Sequence, residues 1–132
     1  MKKVMVFGTF NIIHPGHLNL FRQAREFGDR LFVVLARDKT VQDIKNYNPL
    51  DEIKRRENLV KIPLVDTVIL GDFDDRMQPI KQVQPDVICL GYDQYFFIDK
   101  LEAYLAENNL DIPVMRMKPY NPEKYKSSKL ID

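Results

Sequence analysis

The sequence predicts a single α/β domain built on a five-stranded, mostly parallel sheet in the order 3-2-1-4-5, with helices on both faces. Three observations carry this reading. Short apolar runs alternate with longer amphipathic stretches, which is the pattern of repeated βα units. A chain of 132 residues with 45% hydrophobic composition suits one core, so residues 1–132 form one domain. Right-handed crossovers between parallel strands leave few ways to wind such units, and the doubly wound, Rossmann-like order is the one expected.

The first strand is predicted over Val4–Phe7, followed by a helix over Pro15–Phe27 with Leu18, Phe21 and Ala24 on its apolar stripe and Gly28 as its stop. A second strand covers Leu31–Ala36. The segment Asp38–Asn48, rich in Lys, Asp and Asn and followed by Pro49, reads as a loop: either a solvated connector or a lid over substrate. Asp51–Ile62 is the next helix, closed by Pro63, and Thr67–Leu70 the third strand. A helix over Asp75–Val83, ended by Pro85, leads to the fourth strand, Val87–Leu90. Ile98–Glu107 is helical, Val114–Met117 is the last strand, and a short terminal helix is expected to start at Ser127 or Ser128, both good N-caps. Repeats and low-complexity stretches are absent.

Charge and cysteine usage narrow the partners. With 20 basic against 19 acidic residues the net charge is +1, which supplies no electrostatic footprint for nucleic acid or an anionic membrane. Small molecules are the expected partners, with a homodimer as the possible assembly. The single cysteine rules out an internal disulfide; within Val87-Ile88-Cys89-Leu90 it reads as a packing residue and suits a reducing compartment. The N-terminal apolar stretch is too short for a signal peptide, and no run approaches the roughly 20 apolar residues of a membrane span, so a cytoplasmic location is expected.

The chemistry concentrates in GTFNIIHPGH, directly after the first strand. It holds the only two histidines of the chain, His14 and His17. If Pro15 occupies the first helical turn, the N–H groups of Gly16, His17 and Leu18 fall among the helix's unpaired donors, an arrangement that attracts phosphate. The two imidazoles, about one turn apart, then face the same way and can reach one anion. Ordinary helix capping and surface hydrogen bonding is the alternative for the same pair. Zinc is a poorer fit, because no third and fourth ligands stand at recognisable spacing and Cys89 is alone. The fingerprint GxGxxG is missing, which argues against a dinucleotide oxidoreductase. The segments GTFN, ARD and LGYDQ all follow strands, so all three converge on the carboxyl edge of the sheet, where such folds bind ligands. The run Asp72, Asp74, Asp75 reads as the acidic start of a helix rather than a metal cage.

GTFNIIHPGH resembles the signature of the HxGH nucleotidylyltransferase superfamily, enzymes that join a nucleoside triphosphate to a phosphomonoester and release pyrophosphate. Leu35-Ala36-Arg37-Asp38, Arg55 ahead of VDTVILG, LGYDQ and KSSKLI extend the similarity along the chain to the short cytidylyltransferase-like group, which includes archaeal-type FAD synthases and glycerol-3-phosphate cytidylyltransferases. The resemblance implies His14 and His17 as catalytic residues stabilising the pentavalent phosphorus and the leaving pyrophosphate. It implies nucleotide contacts from Gly8, Thr9, Phe10, Asn11 and Gly16, from Arg55, from Gly91, Tyr92, Asp93 and Gln94 around ribose and base, and from Lys126, Ser127, Ser128 and Lys129 on the outer phosphates. Asp38 and Lys45 are the acceptor candidates. Mg²⁺ is implied through the substrate phosphates, with no metal site made of protein ligands. Asn11 stands where near relatives usually carry Asp, which removes a carboxylate beside the triphosphate. Tyr92 and the ARD run look more like the FAD synthase branch, implying ATP and FMN as substrates; CTP with glycerol 3-phosphate, or a nucleotide-sensing module without turnover, are the alternatives.

Overall fold

The computed structural model describes residues 1–39, 41, 51–71, 77–92, 94 and 97–119. Five strands form one parallel sheet: β1 (Lys3–Gly8), β2 (Arg30–Leu35), β3 (Thr67–Leu70), β4 (Val87–Leu90) and β5 (Val114–Arg116), in the order β3-β2-β1-β4-β5. Among the described residues the sheet is accompanied by helices α1 (Pro15–Arg25), α2 (Glu52–Val60), α3 (Gln78–Val83) and α4 (Ile98–Glu107), besides helical residues after β2. The predicted order is the observed one. In the centre β1 pairs on one side with β2, Val4 opposite Leu31, and on the other with β4, Val4 opposite Val87.

Both faces of the sheet are covered, and alternate side chains of each strand show it. Val4 and Val6 of β1, with Leu31, Val33 and Cys89, pack beneath α1 and α2 through Phe21, Ala24 and Leu59. Met5, Val34 and Ile88 point the other way, onto Ile80 and Val83 of α3 and Leu101 and Leu105 of α4. A strand buried on both faces reads as a continuous apolar run, which is why these strands stand out in the sequence. Cys89 has no solvent exposure. Its burial raises the thiol pKa to about 11, consistent with a packing role.

Several boundaries differ from expectation. β2 begins at Arg30 and ends at Leu35, and β5 ends at Arg116, each one residue from the prediction. Helix α1 stops at Arg25, with Glu26 as a right-handed C-cap, so Gly28 is not its left-handed cap. The glycine is needed for another reason: a Cβ there would lie 2.7 Å from the Lys2 carbonyl oxygen and 2.7 Å from a Val4 methyl. Helix α2 runs to Val60 rather than Ile62, with Lys61 as its C-cap. Helix α3 starts at Gln78, and the expected start at Asp75, with Asp72 and Asp74, lies outside the described residues. Asp38 does not open a loop. Asp38, Lys39 and Val41 are helical, the Val41 N–H donates to the Arg37 carbonyl at 3.0 Å, and Val41 is buried. Burying that apolar side chain supplies the reason for the turn.

Candidate active site

The site is built at the carboxyl ends of β1, β2 and β4. At the start of α1, His14 occupies the N-cap with extended backbone, and its Nδ1 accepts from the Gly16 N–H at 3.1 Å. In return the His14 N–H donates to Nδ1 of His17 at 3.3 Å. This is a reciprocal capping box with imidazoles in the places usually taken by Ser or Thr and Glu. The ring centroids lie 3.8 Å apart with the planes 30° from parallel, and both histidines are buried. Because each Nδ1 accepts a proton from backbone, the proton of the neutral ring sits on Nε2.

The sequence-based expectation that the first N–H groups of α1 are unpaired is therefore corrected. Gly16 is bonded to the His14 ring, and the N–H groups of His17 and Leu18 donate to the His14 carbonyl at 2.9 and 3.3 Å. The His14 ring and carbonyl together take these donors. The cap engages Nδ1 of each ring, on the opposite side from Nε2.

The turn before α1 is held from beneath. Phe10 has φ +50, a left-handed backbone, and its ring is buried against His17 edge-on at 5.1 Å and against Phe21 at 5.4 Å. Gly8 makes room for it, because a Cβ on Gly8 would lie 2.6 Å from the Phe10 ring. The Gly8 carbonyl accepts from the Ala36 N–H at 2.9 Å and the Thr9 carbonyl from Arg55 Nη1 at 2.9 Å. Trans planar peptides then send the N–H groups of Thr9 and Phe10 the opposite way, away from β2 and α2. Thr9 and Asn11 are both largely buried in this turn.

Arg55 is a surprise in its burial. A helix written Glu-Ile-Lys-Arg-Arg-Glu suggests a solvated face, yet the Arg55 side chain has no exposure and bonds Asp38 Oδ1 at 2.7 Å as well as Thr9. Around it Glu52 and Asp38 exchange bonds: the Asp38 N–H donates to Glu52 Oε1 at 3.0 Å, and the Glu52 N–H to Asp38 Oδ2 at 3.2 Å. Arg37 joins Glu52 Oε2 at 2.8 Å and the Gly71 carbonyl at 2.6 Å. Asp38 is thus a partner of Arg55 in this structure.

After β4, Gln94 ties its own loop to the central strand. Its Oε1 accepts from the Gly91 N–H at 3.1 Å, and its Nε2 donates to the Phe7 carbonyl at 2.9 Å. Gly91, Tyr92 and Gln94 consequently stand beside the end of β1, next to the Gly8 turn. Asp93, Lys45 and the segment Lys126, Ser127, Ser128 and Lys129 lie outside the described residues. Sequence reasoning missed Glu52 and assigned no role to Arg37; single charged residues at a helix or strand end carry no signal that separates them from surface.

The model of the cytidylyltransferase-like family matches residues 5–132, nearly the whole chain and all of the site just described. The chain belongs to the cytidylyltransferase-like family. Within it the chain is 45% identical over 114 residues to the FAD synthase of Archaeoglobus fulgidus, covering 86% of this chain and 82% of that protein. It is 40% identical over 120 residues to the FAD synthase of Aciduliprofundum boonei, covering 91% and 80%. Among solved structures, the lipopolysaccharide core biosynthesis protein of Thermoplasma volcanium superposes with a TM-score of 0.85 at 34% identity, over 92% of this chain and 99% of that one. Pantoate-β-alanine ligase of Francisella tularensis, with a TM-score of 0.66 at 13% identity over 98% of this chain and 67% of its own, shares the fold. This cytidylyltransferase-like chain contains, among its described residues, no cluster of three His, Cys, Asp or Glu arranged to hold a metal, and no helix long and apolar enough to cross a membrane.

Proposed function

We propose that this protein is an FAD synthase, a nucleotidyltransferase that transfers the adenylyl group of ATP to FMN. Identity of 37–45% with FAD synthases over most of the chain carries the proposal. In the reaction a phosphate oxygen of FMN attacks the α-phosphorus of ATP in line, the bond from that phosphorus to the bridging oxygen breaks, and its electron pair leaves with pyrophosphate. No covalent enzyme intermediate is required, so the protein's contribution is position and charge.

The residues support that task. Nε2–H of His14 and His17 donate to the triphosphate, and the buried, stacked rings are held in advance by the capping box, so little reorganisation accompanies charge build-up at the phosphorus. The N–H groups of Thr9 and Phe10 add backbone donors. Arg55, bonded to Thr9 and Asp38, acts chiefly by fixing this turn. Ribose and base lie against Gly91, Tyr92 and Gln94, and the segment around Ser127 and Ser128 completes the phosphate contacts. The donors at the motif are imidazoles and amides, and Asp38 is committed to Arg55, so the residues fit a Mg²⁺ ion carried by the phosphates and water. When bound, that ion neutralises the triphosphate and the leaving pyrophosphate. Small soluble substrates and a reduced buried thiol accord with a cytoplasmic protein.

The test is an assay of ATP and CTP against FMN and glycerol 3-phosphate with Mg²⁺, following pyrophosphate and flavin product. The expected result is FAD from ATP and FMN, with ATP preferred to CTP by about 10- to 100-fold, as for a stacking rather than an edge-reading base site. Turnover confined to CTP with glycerol 3-phosphate overturns the proposal. Binding of nucleotide without any pyrophosphate identifies a sensing module instead.

A further inference from the structure

The loop that follows β4 is pinned from the edge of the sheet by a residue with no role in the site so far. Arg116, the last residue of β5, directs Nη1 to the carbonyl oxygens of Gly91 at 2.8 Å, Gln94 at 3.0 Å and Tyr92 at 3.3 Å. The strand pairing sets this up, because Arg116 stands opposite Leu90, one residue before the loop begins. The bond to the Gly91 carbonyl fixes the Gly91–Tyr92 peptide, whose Tyr92 N–H is turned away from β5. From the other side Gln94 anchors the same loop to Phe7 of β1. The loop is thus held between β1 and β5, with the arginine supplying the outer hold.

We propose that Arg116 is a positioning residue that holds Gly91, Tyr92 and Gln94 for nucleotide binding, acting through their backbone carbonyls. This rests on the reading of that loop as the ribose and base subsite. The two N–H groups of Nη1 are shared among the three carbonyls, and a lysine keeps a positive charge and donors toward them, so it can replace part of the function despite its shorter reach. Removing the side chain leaves the Gly91 carbonyl with the Gln94 N–H alone and opens the Arg116 side of the carbonyls to water, since Arg116 is itself solvent-exposed. The fold should survive while the loop loses its fixed shape.

The experiment compares wild type with Arg116→Ala and Arg116→Lys by three measurements: thermal melting, amide hydrogen exchange at Gly91 and Gln94 without nucleotide, and ATP affinity by calorimetry alongside FAD synthesis. Expected for Arg116→Ala are a melting temperature within a few degrees of wild type, exchange accelerated at least 10-fold at both amides, and a Kd and KM for ATP raised at least 10-fold with kcat changed less than 3-fold. Arg116→Lys should recover part of each. Unchanged loop exchange in Arg116→Ala overturns the proposal, as does a loss confined to kcat. Wild-type protein that makes no FAD overturns the functional reading separately, because exchange still reports whether Arg116 holds the loop.

Discussion

Arg55 donates from Nη1 to the main-chain carbonyl of Thr9 at 2.9 Å, from a side chain with no exposure to solvent. The bond ties helix α2 to the turn that carries the two histidines, and the second bond to Asp38 adds the segment after β2. One guanidinium therefore holds three separate parts of the chain in register.

Replacing Arg55 by Met should destabilise the protein by about 3 kcal/mol, because it leaves the Thr9 carbonyl buried without its donor and Asp38 without its counter-charge. Urea unfolding measures this. If the loss is only that of an exposed pair, below about 1 kcal/mol, the buried network is not what holds the turn.

The capping role of His14 can be separated from the catalytic role proposed for it. His14→Asn retains an N-cap acceptor for Gly16, whereas His14→Ala removes it; the first should melt close to wild type and the second should lose about 1 kcal/mol. Both should lower kcat by about 10²-fold or more, because neither supplies Nε2–H. An Asn variant with wild-type kcat would show that the imidazole serves only as a cap.

Gly28→Ala should cost about 1–3 kcal/mol by forcing apart the Lys2 backbone and Val4, each 2.7 Å from the new Cβ. The measurement is denaturant unfolding at neutral pH. An unchanged midpoint would indicate that the strand edge yields freely at Lys2.

Cys89 gives a pH dependence of definite sign. Its thiol is held up to about 11 against 9.0 in the unfolded chain, so between those values the unfolded state ionises while the folded state does not. The unfolded state then binds fewer protons, and stability contributed at this position falls as pH rises from about 9 to about 11. The stability advantage of wild type over Cys89→Ala should narrow by a few kcal/mol across that window. A constant difference between the two proteins would show that the thiol ionises freely in the fold.

The sheet was legible because every strand is an apolar run and crossover handedness leaves one economical winding; Val87-Ile88-Cys89-Leu90 announces a strand buried on both faces without any knowledge of its neighbours. The histidine pair was legible through its isolation in one turn of the chain. What lay hidden is whatever depends on distant partners. Nothing near Arg116 in sequence reveals three carbonyls waiting beyond β4, and nothing about Arg55, amid charged neighbours on α2, separates it from the exposed Arg56. Gly28 was read from local rules as a helix stop, while its reason is the Lys2 backbone on another element. The expected unpaired N–H groups of α1 failed similarly, because a histidine at the N-cap can satisfy them itself.

The central strand also imposes an order on how the molecule comes together. Lys3 and Asp86, which join where β1 meets the start of β4, are separated by 83 residues of chain. During synthesis β1 can pair with β2 early, but its other edge has to wait until nearly two-thirds of the polypeptide has emerged. Until then a strand made of Val4, Met5 and Val6 presents open backbone groups on that side, the kind of edge that recruits other chains. The strand that leads into the histidine turn is thus, for the nascent protein, the stretch most exposed to misassembly.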